Sequence, residues 1–301
     1  VWLTGDTKQY KSEIKAAGYW WAKKKSSWYF RPADYKSRNK GDWDMDKIRH
    51  SNMPTTVVDM FGSKVQRLEQ ETLEIVKICA CMGNRFAAED IALIHDIELR
   101  ALFEYLKPVL TLGLFIESKT EFQFVHDRVQ EAVLRLIPPE QRRLIHWQVG
   151  WHLLGDKALD AELENQDNLF TIAAHLNLGC PDDISNEDIL RVAQINLCAG
   201  NKALNALATQ AANEYYGDGL KLLSEQDWND HYTLMYRLHQ KLAKTELMCG
   251  RYEASEILLN ELLQRAVDDL DRAEALAEQT TSLSSIGDFI KAIDTANRGL
   301  A

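Results

Sequence analysis

Apolar residues recur along this chain with two periods. Over most of the length the spacing is that of an amphipathic helix. Val57, Val58, Phe61, Val65 and Leu68 fall near one helical face, and after Glu69-Gln70-Glu71 the pattern resumes with Leu73, Ile75, Val76, Ile78 and Cys79. Gly83-Asn84 ends that segment. Further helices are expected over 87–94 and 98–106. The period then changes to two, and 112–117 and 121–125 read as a hairpin around Ser118-Lys119-Thr120. A helix over 127–137 follows and stops before Pro138-Pro139.

Beyond residue 138 the helical period continues almost without interruption. Pro139-Glu140-Gln141 is a sound helix opening, and the helix runs to Leu154. The next is expected over 168–178, stopped by Gly179. Another starts at Ser185, with acidic residues in its first turn, and stops at Gly200. Helices are then expected over 201–216, 218–224, 228–249, 252–266, 269–286 and 289–299. Gly250-Arg251-Tyr252-Glu253-Ala254 recurs as Gly287-Asp288-Phe289-Ile290-Lys291-Ala292, with a 37-residue step from glycine to glycine. A repeat of that length is a helix pair that buries one face on its neighbour and leaves a concave face for a peptide or protein, or else serves only as a spacer.

The first 50 residues follow neither pattern. Trp2-Leu3-Thr4, Tyr19-Trp20-Trp21 and Ser27-Trp28-Tyr29-Phe30 read as short strands, 8–17 as a helix stopped by Gly18, and 44–50 as a closing helical turn or two. Composition separates them from the rest. Residues 1–50 hold twelve Lys/Arg against six Asp/Glu and five of the eight tryptophans, whereas the remainder carries a balance of −16. A module boundary is therefore expected near 51–54. Lys23, Lys24, Lys25 and Trp28 could contact nucleic acid through phosphate pairing and base stacking. Equally, a small domain with little core can use tryptophan to build one.

The chain offers little catalytic chemistry. It has no phosphate-binding loop, no Gly-x-Ser-x-Gly and no paired carboxylates of catalytic spacing. His146 and His152 share a helix but lie six apart, not the four a zinc pair needs. The five cysteines contain no Cys-x-x-Cys pair and read as reduced thiols of a cytoplasmic protein. No run of about 18 apolar residues exists, so no membrane span is expected. The expectation is a non-enzyme without cofactor or metal. One place invites an anion: after the alternating Phe122-Gln123-Phe124-Val125, His126 stands at a helix start with Asp127 placed to cap it, beside free backbone N–H groups.

Several motifs in order, Val57-Val58-Asp59-Met60, Val65-Gln66-Arg67-Leu68, Cys81-Met82-Gly83-Asn84-Arg85-Phe86 and Phe124-Val125-His126-Asp127-Arg128-Val129-Gln130-Glu131-Ala132, resemble large bacterial signalling proteins. These carry a STAND-type ATPase module, as in MalT-like regulators and kinase–ATPase–histidine kinase chains. The resemblance runs from about residue 55 to the end. It implies a winged helix over 54–137, a tetratricopeptide-like α-solenoid over 138–301, and a histidine, His126, that senses the β-phosphate of ADP held by an ATPase domain missing from this chain. A lone histidine at a helix start can also be only a structural cap. Residues 1–50 resemble a small region that follows the J-domain in phage and bacterial DnaJ-like proteins. Ser51-Asn52-Met53 between the two resembles a cloning scar, so a piece of a larger protein or an artificial fusion is expected. The expected fold class is mainly α: a winged helix, then a tetratricopeptide-like array, with a small α+β module at the N-terminus. Its expected partner is a protein or peptide on the array, of basic or mixed charge because residues 51–301 are acidic.

Overall fold

The computed structural model describes residues 2–3, 11–16, 19–22, 27–30, 57–118, 121–155, 159 and 162–300. Contacts along the chain separate two units, Val1–Met53 and Pro54–Ala301. In the first, β1 (Trp2–Leu3), α1 (Lys11–Ala16), β2 (Tyr19–Ala22) and β3 (Ser27–Phe30) give an antiparallel sheet of order β1-β3-β2. Trp2 lies opposite Tyr29, and Trp21 opposite Trp28. The helix expected over 44–50 lies outside the described residues, as do Lys23, Lys24 and Lys25.

The second unit is mainly helical. It opens with α2 (Val57–Val65), α3 (Gln70–Met82), β4 (Arg85–Ala87), α4 (Ala88–Ile94), α5 (Leu99–Thr111), β5 (Phe115–Ser118), β6 (Glu121–Phe124) and α6 (Asp127–Leu136). Every residue from Ile75 to Cys81 is buried. A helix apolar on nearly all sides belongs at the centre of a layer, and α3 accordingly packs on α4, α5 and α6. Lys77 is carried in with it. Its ammonium reaches Glu74 at 2.9 Å and Gln141 at 3.2 Å, so the buried charge is paired.

The three strands form an antiparallel sheet of order β4-β6-β5. Alternation along Glu121-Phe122-Gln123-Phe124 turns Phe122 and Phe124 inward. There the rings of Phe86, Phe115 and Phe124 stand edge to face, with Phe115 and Phe124 4.6 Å apart. The strand β4 and the last turn of α5 were not expected. Pro108 sits inside α5 on an exposed face, where water can serve the Glu104 carbonyl it leaves unpaired.

From Pro139 the chain is a succession of helices: α7 (Pro139–Leu154), a 3₁₀ turn (Leu163–Asn165), α8 (Leu169–Gly179), α9 (Asn186–Asn205), α10 (Thr209–Lys221), the short α11 (Asp227–Asp230), α12 (Tyr232–Met248), α13 (Tyr252–Arg265), α14 (Asp269–Ser285) and α15 (Phe289–Leu300). α7 joins the two parts of the unit, packing on α3 and α4 on one side and on α8 on the other. Gly179, expected to end α8, also lets the two helices touch. A β-carbon there would lie 2.2 Å from the Trp147 amide nitrogen and 2.8 Å from the Arg143 carbonyl oxygen.

The 37-residue repeat is visible as hydrogen bonds. After α12, the amides of Cys249, Gly250 and Arg251 donate to the carbonyls of Thr245, Leu247 and Glu246 in turn. After α14, those of Ile286, Gly287 and Asp288 donate to Ser282, Ser284 and Leu283 in the same pattern. Gly250 (φ 78°) and Gly287 (φ 81°) supply the left-handed residue that this helix end requires. The same helix end, which also closes α4 at 95–97 and α5 at 112–114, follows α9, where Ala206, Leu207 and Ala208 donate to Lys202, Leu204 and Ala203. Here the left-handed residue is Leu207 (φ 61°), which gives no turn signal in the sequence. That is why the break expected at Gly200 falls instead at 206–208. Gly200 is interior to α9, where a β-carbon would lie 2.3 Å from the Tyr216 ring. Three like pairs result, α9–α10, α12–α13 and α14–α15. Their first helices touch in a row, α9 on α12 and α12 on α14.

Candidate functional site

The first candidate is the start of α6. β6 ends at Phe124, and the Val125 amide is fixed by the Leu114 carbonyl at 3.0 Å. His126 then takes an extended backbone (φ −160°, ψ 145°), and its Nδ1 accepts the Arg128 N–H at 3.0 Å. The cap is therefore His126 itself. Asp127, expected to cap, is the first helical residue, because the extended conformation needed at the cap falls one position earlier. With Nδ1 accepting, the neutral ring carries its proton on Nε2, a donor left available on an exposed side chain. Beside it Glu131 binds Arg128 and Arg135, each at 2.6 Å, and the bond from Arg128 leads in holding its carboxyl below the usual range. One N–H donor next to a carboxylate can report an anion held by something else; alone it is a weak anion site.

The second candidate is the row of first helices. Between α9 and α12 lies an open cavity of about 880 Å³ that includes Arg191, Gln194, Thr233 and Arg237. Between α12 and α14 lies another of about 860 Å³ that includes Lys241, Lys244, Asp271 and Glu274. Tyr232, Thr233 and Arg237 line both, so the two join across the N-terminal half of α12. Thr233, Arg237, Lys241 and Lys244 share a face of α12 at helical spacing. Among the described residues no ion-pair partner reaches Arg237 or Lys241, and Lys244 meets Glu278 at 4.0 Å. The opposite wall is acidic. Asp271 accepts the Tyr232 hydroxyl at 2.5 Å, and Glu274 accepts from Gln240 at 3.0 Å. Burial, then the bond to Asp271, pushes the Tyr232 phenol up to about 12. The acidic surplus of this region thus does not extend over the whole lining of the two cavities.

Behind the row, the pairs are locked by buried polar contacts. Asn177 and Asn196 exchange two hydrogen bonds of 2.8 Å between α8 and α9. Asn213 on α10 bonds Glu246 at 2.9 Å and receives Arg251 at 2.6 Å, tying the α12–α13 turn to the preceding pair. His146, considered in sequence only with His152, instead meets His175 of α8, Nδ1 to Nδ1 at 2.9 Å. One ring must donate and the other accept, so the accepting ring is neutral, and burial, then the Arg142 charge, lowers His146. Burial, then the neighbouring imidazole, lowers His175 to about 4. His152 turns the other way, 3.4 Å from Asp90 of α4. Among the described residues no group of three or more His, Cys, Asp or Glu is placed to hold a metal, and no helix is long and apolar enough to cross a membrane.

Of the residues expected to touch nucleic acid, Lys23, Lys24 and Lys25 lie outside the described residues. Trp28 stands on the central strand β3, paired through its backbone with Leu3 and Trp21. Sequence reasoning missed the α12 cations. Their i, i+4 spacing was the available signal, masked by the acidic balance of the segment around them.

No protein-family model matches the chain. It is 21% identical over 296 residues to hybrid signal transduction histidine kinase G of Dictyostelium discoideum, a match covering 79% of this chain and 9% of that protein. The chain therefore spans less than a tenth of that relative's length. Among solved structures it is similar to a Signal Transduction ATPase with Numerous Domains (STAND) protein with a tetratricopeptide repeat sensor, from Pyrococcus horikoshii. The identity is 15%, the coverage 83% of this chain and 40% of that one, and the TM-score 0.32, a superposition too loose to argue from.

Proposed function

We propose that residues 54–301 are a non-catalytic, signal-sensing part of a STAND-type signalling ATPase that takes up a protein or peptide partner on its helix pairs. On this reading the helices and hairpin over 57–137 are a winged helix, and the pairs beyond them a tetratricopeptide-like solenoid. The observation that carries it is the row of α9, α12 and α14, which lines one joined groove with charged side chains. The relative whose name is that of a signal transduction histidine kinase matches most of the chain, which supports a signalling setting. In a protein with an ATPase module ahead of residue 54, the Nε2–H of His126 would donate to the β-phosphate of bound ADP. A partner on the array that prefers one nucleotide state would then shift the balance between states.

Two measurements test this. Calorimetry on the chain alone should show no ADP affinity in the micromolar range and no ATP turnover, since one imidazole is too little to hold a diphosphate; either signal overturns the non-catalytic reading. With an ATPase module joined ahead of residue 54, His126→Asn keeps a good cap but withdraws the Nε2 donor. Faster ADP release is expected, and unchanged release overturns the sensor role.

A further inference from the structure

We propose that the cavity enclosed by α3, α6, α7 and α8 is a site for a small carboxylate with a short apolar body, gripped by Arg142. It stands apart from the reading of the array as a peptide surface and does not rest on it.

The two cavities along the row of first helices both have carboxylates in their lining, Glu164 and Asp230 in one and Asp271 and Glu274 in the other. A third cavity, of about 440 Å³, has none. It lies at the junction that α7 makes between the two parts of the unit. α3 contributes Ala80 and Cys81 to it, α6 Gln130 and Leu134, and α8 Leu178. Gln130 closes one side, its amide donating to the Ala80 carbonyl at 2.9 Å.

The polar wall is α7, through Arg142, Arg143 and His146. Arg143 is fully engaged. Its guanidinium binds Asp182 at 2.9 Å and the Cys180 carbonyl at 2.7 Å, with Glu140 at 3.6 Å, and both carboxylates are exposed and outside the lining. The other acids on these helices are also taken. Glu131 is held by Arg128 and Arg135, and Glu74 by Lys77 and Gln141. Among the described residues no carboxylate pairs with Arg142. Its charge is felt inside the cavity. After burial it is the next influence lowering His146, and it opposes the burial that pushes the Cys81 thiol up to about 11. Both side chains are therefore neutral near neutral pH, and nothing in the lining cancels Arg142.

A guanidinium can hold a carboxylate through two parallel N–H donors. His146 can add a third. Its Nδ1 faces His175 Nδ1 at 2.9 Å, so where His175 donates, His146 carries its proton on Nε2, the ring nitrogen left for a ligand. The rest of the lining is apolar: Ala80, Leu134, Pro139 and Leu178. Leu178 is 61% exposed, so most of its surface has no cover from the chain itself. A bare anion would leave that wall wet, whereas an anion with a short hydrocarbon body would cover it.

Calorimetric titration of the full chain with hexanoate, hexanamide, acetate and inorganic phosphate tests this. Hexanoate should bind with a dissociation constant of about 1 mM. Hexanamide keeps the body and loses the charge, while acetate and phosphate lack the body; each should bind about tenfold more weakly. Arg142→Gln should weaken hexanoate about tenfold and leave hexanamide as it was. Its melting temperature should match the parent's, because Arg142 is exposed and unpaired among the described residues. Arg100→Gln, which removes the same charge from an exposed position on α5, should change neither binding nor melting. The proposal is overturned if hexanamide, acetate or phosphate binds as tightly as hexanoate, if hexanoate binding survives Arg142→Gln undiminished, or if no hexanoate binds at about 20 mM.

Discussion

Replacing Gly179 by Ala tests how the helix pairs are held together. A helical glycine exchanged for alanine normally gains about 1 kcal/mol from helix propensity alone. At Gly179 the new β-carbon would stand 2.2 Å from the Trp147 amide nitrogen, 2.7 Å from its Cα and 2.8 Å from the Arg143 carbonyl oxygen. All three are backbone atoms of α7, which no rotamer change can move. Ordinary non-bonded contacts between carbon atoms lie at about 3.5–4.0 Å, so α7 and α8 must part locally by more than about 1 Å. Trp147 packs against the buried cluster of Leu154, Leu169, Ile172 and Leu176, which would lose contact as they part. Overpacking of this kind costs about 1–3 kcal/mol and occasionally more. With backbone on both sides of the clash we take the upper end of that range, which less the propensity gain leaves a net loss of about 2 kcal/mol, or roughly 4–8 °C in Tm for a unit of this size. Gly62→Ala in α2, where nothing lies within 4 Å, is the control and should gain about 0.5–1 kcal/mol. Gly200→Ala meets the Tyr216 ring instead of backbone and should fall between the two. Thermal unfolding followed by circular dichroism reads all three. A Gly179→Ala chain melting within a degree of the parent would refute the close approach of α7 and α8.

Leu207→Gly should stabilise the chain by about 0.5–1 kcal/mol, because a left-handed leucine costs about 1–2 kcal/mol and glycine gives part of that back as unfolded-state entropy; Leu207 is 86% exposed, so no packing is lost, and denaturant titration showing a loss contradicts the turn assignment. His126→Ala should cost about 1 kcal/mol as a lost helix cap, while His126→Asn should stay close to the parent; equal stability of all three in the same titration would show that the cap does not matter. Acid should loosen the α7–α8 contact. His175 is lowered from 6.5 to about 4 in the fold, so the unfolded chain binds more protons between those values and stability falls as pH drops through that window, by on the order of 2 kcal/mol once solvent screening is allowed for. Denaturant midpoints measured from pH 7 to 4 should show that fall and lose most of it in His175→Asn; a flat profile contradicts the buried neutral pair.

Much of the helical order was legible because its signals are local. Proline at the first position marks the start of α7, and left-handed glycines mark the ends of α12 and α14. The same turn after α9 was not legible, because backbone hydrogen bonds from 206–208 to the end of α9 hold Leu207 in a left-handed conformation for which the local sequence offers no glycine. Gly200 misled in the opposite sense: a glycine can end a helix or clear a path for a neighbour's ring, and only the partner, Tyr216, decides which. β4 is three residues long and exists through its pairing with β6, distant in the chain, as Phe86 opposite Phe122 shows. The candidate sites divide the same way. His126 was legible because the change from period two to helix is written in consecutive residues, yet which residue caps depended on backbone angles. The His146–His175 contact joins two helices, and neither histidine alone carries a sign of it. The α12 cations have helical spacing in the sequence, but that they face a groove and lack carboxylate partners is a property of the packed array.

If the row of α9, α12 and α14 receives a partner, hydrogen–deuterium exchange of the full chain, with and without a bound peptide of mixed Glu and Lys composition at saturating concentration, shows it most directly. Slowed exchange is expected in α9, α12 and α14, with the start of α6 unchanged in the absence of an ATPase module. Slowed exchange confined to residues outside these three helices, or none despite bound peptide, would contradict the assignment of the groove as the binding surface.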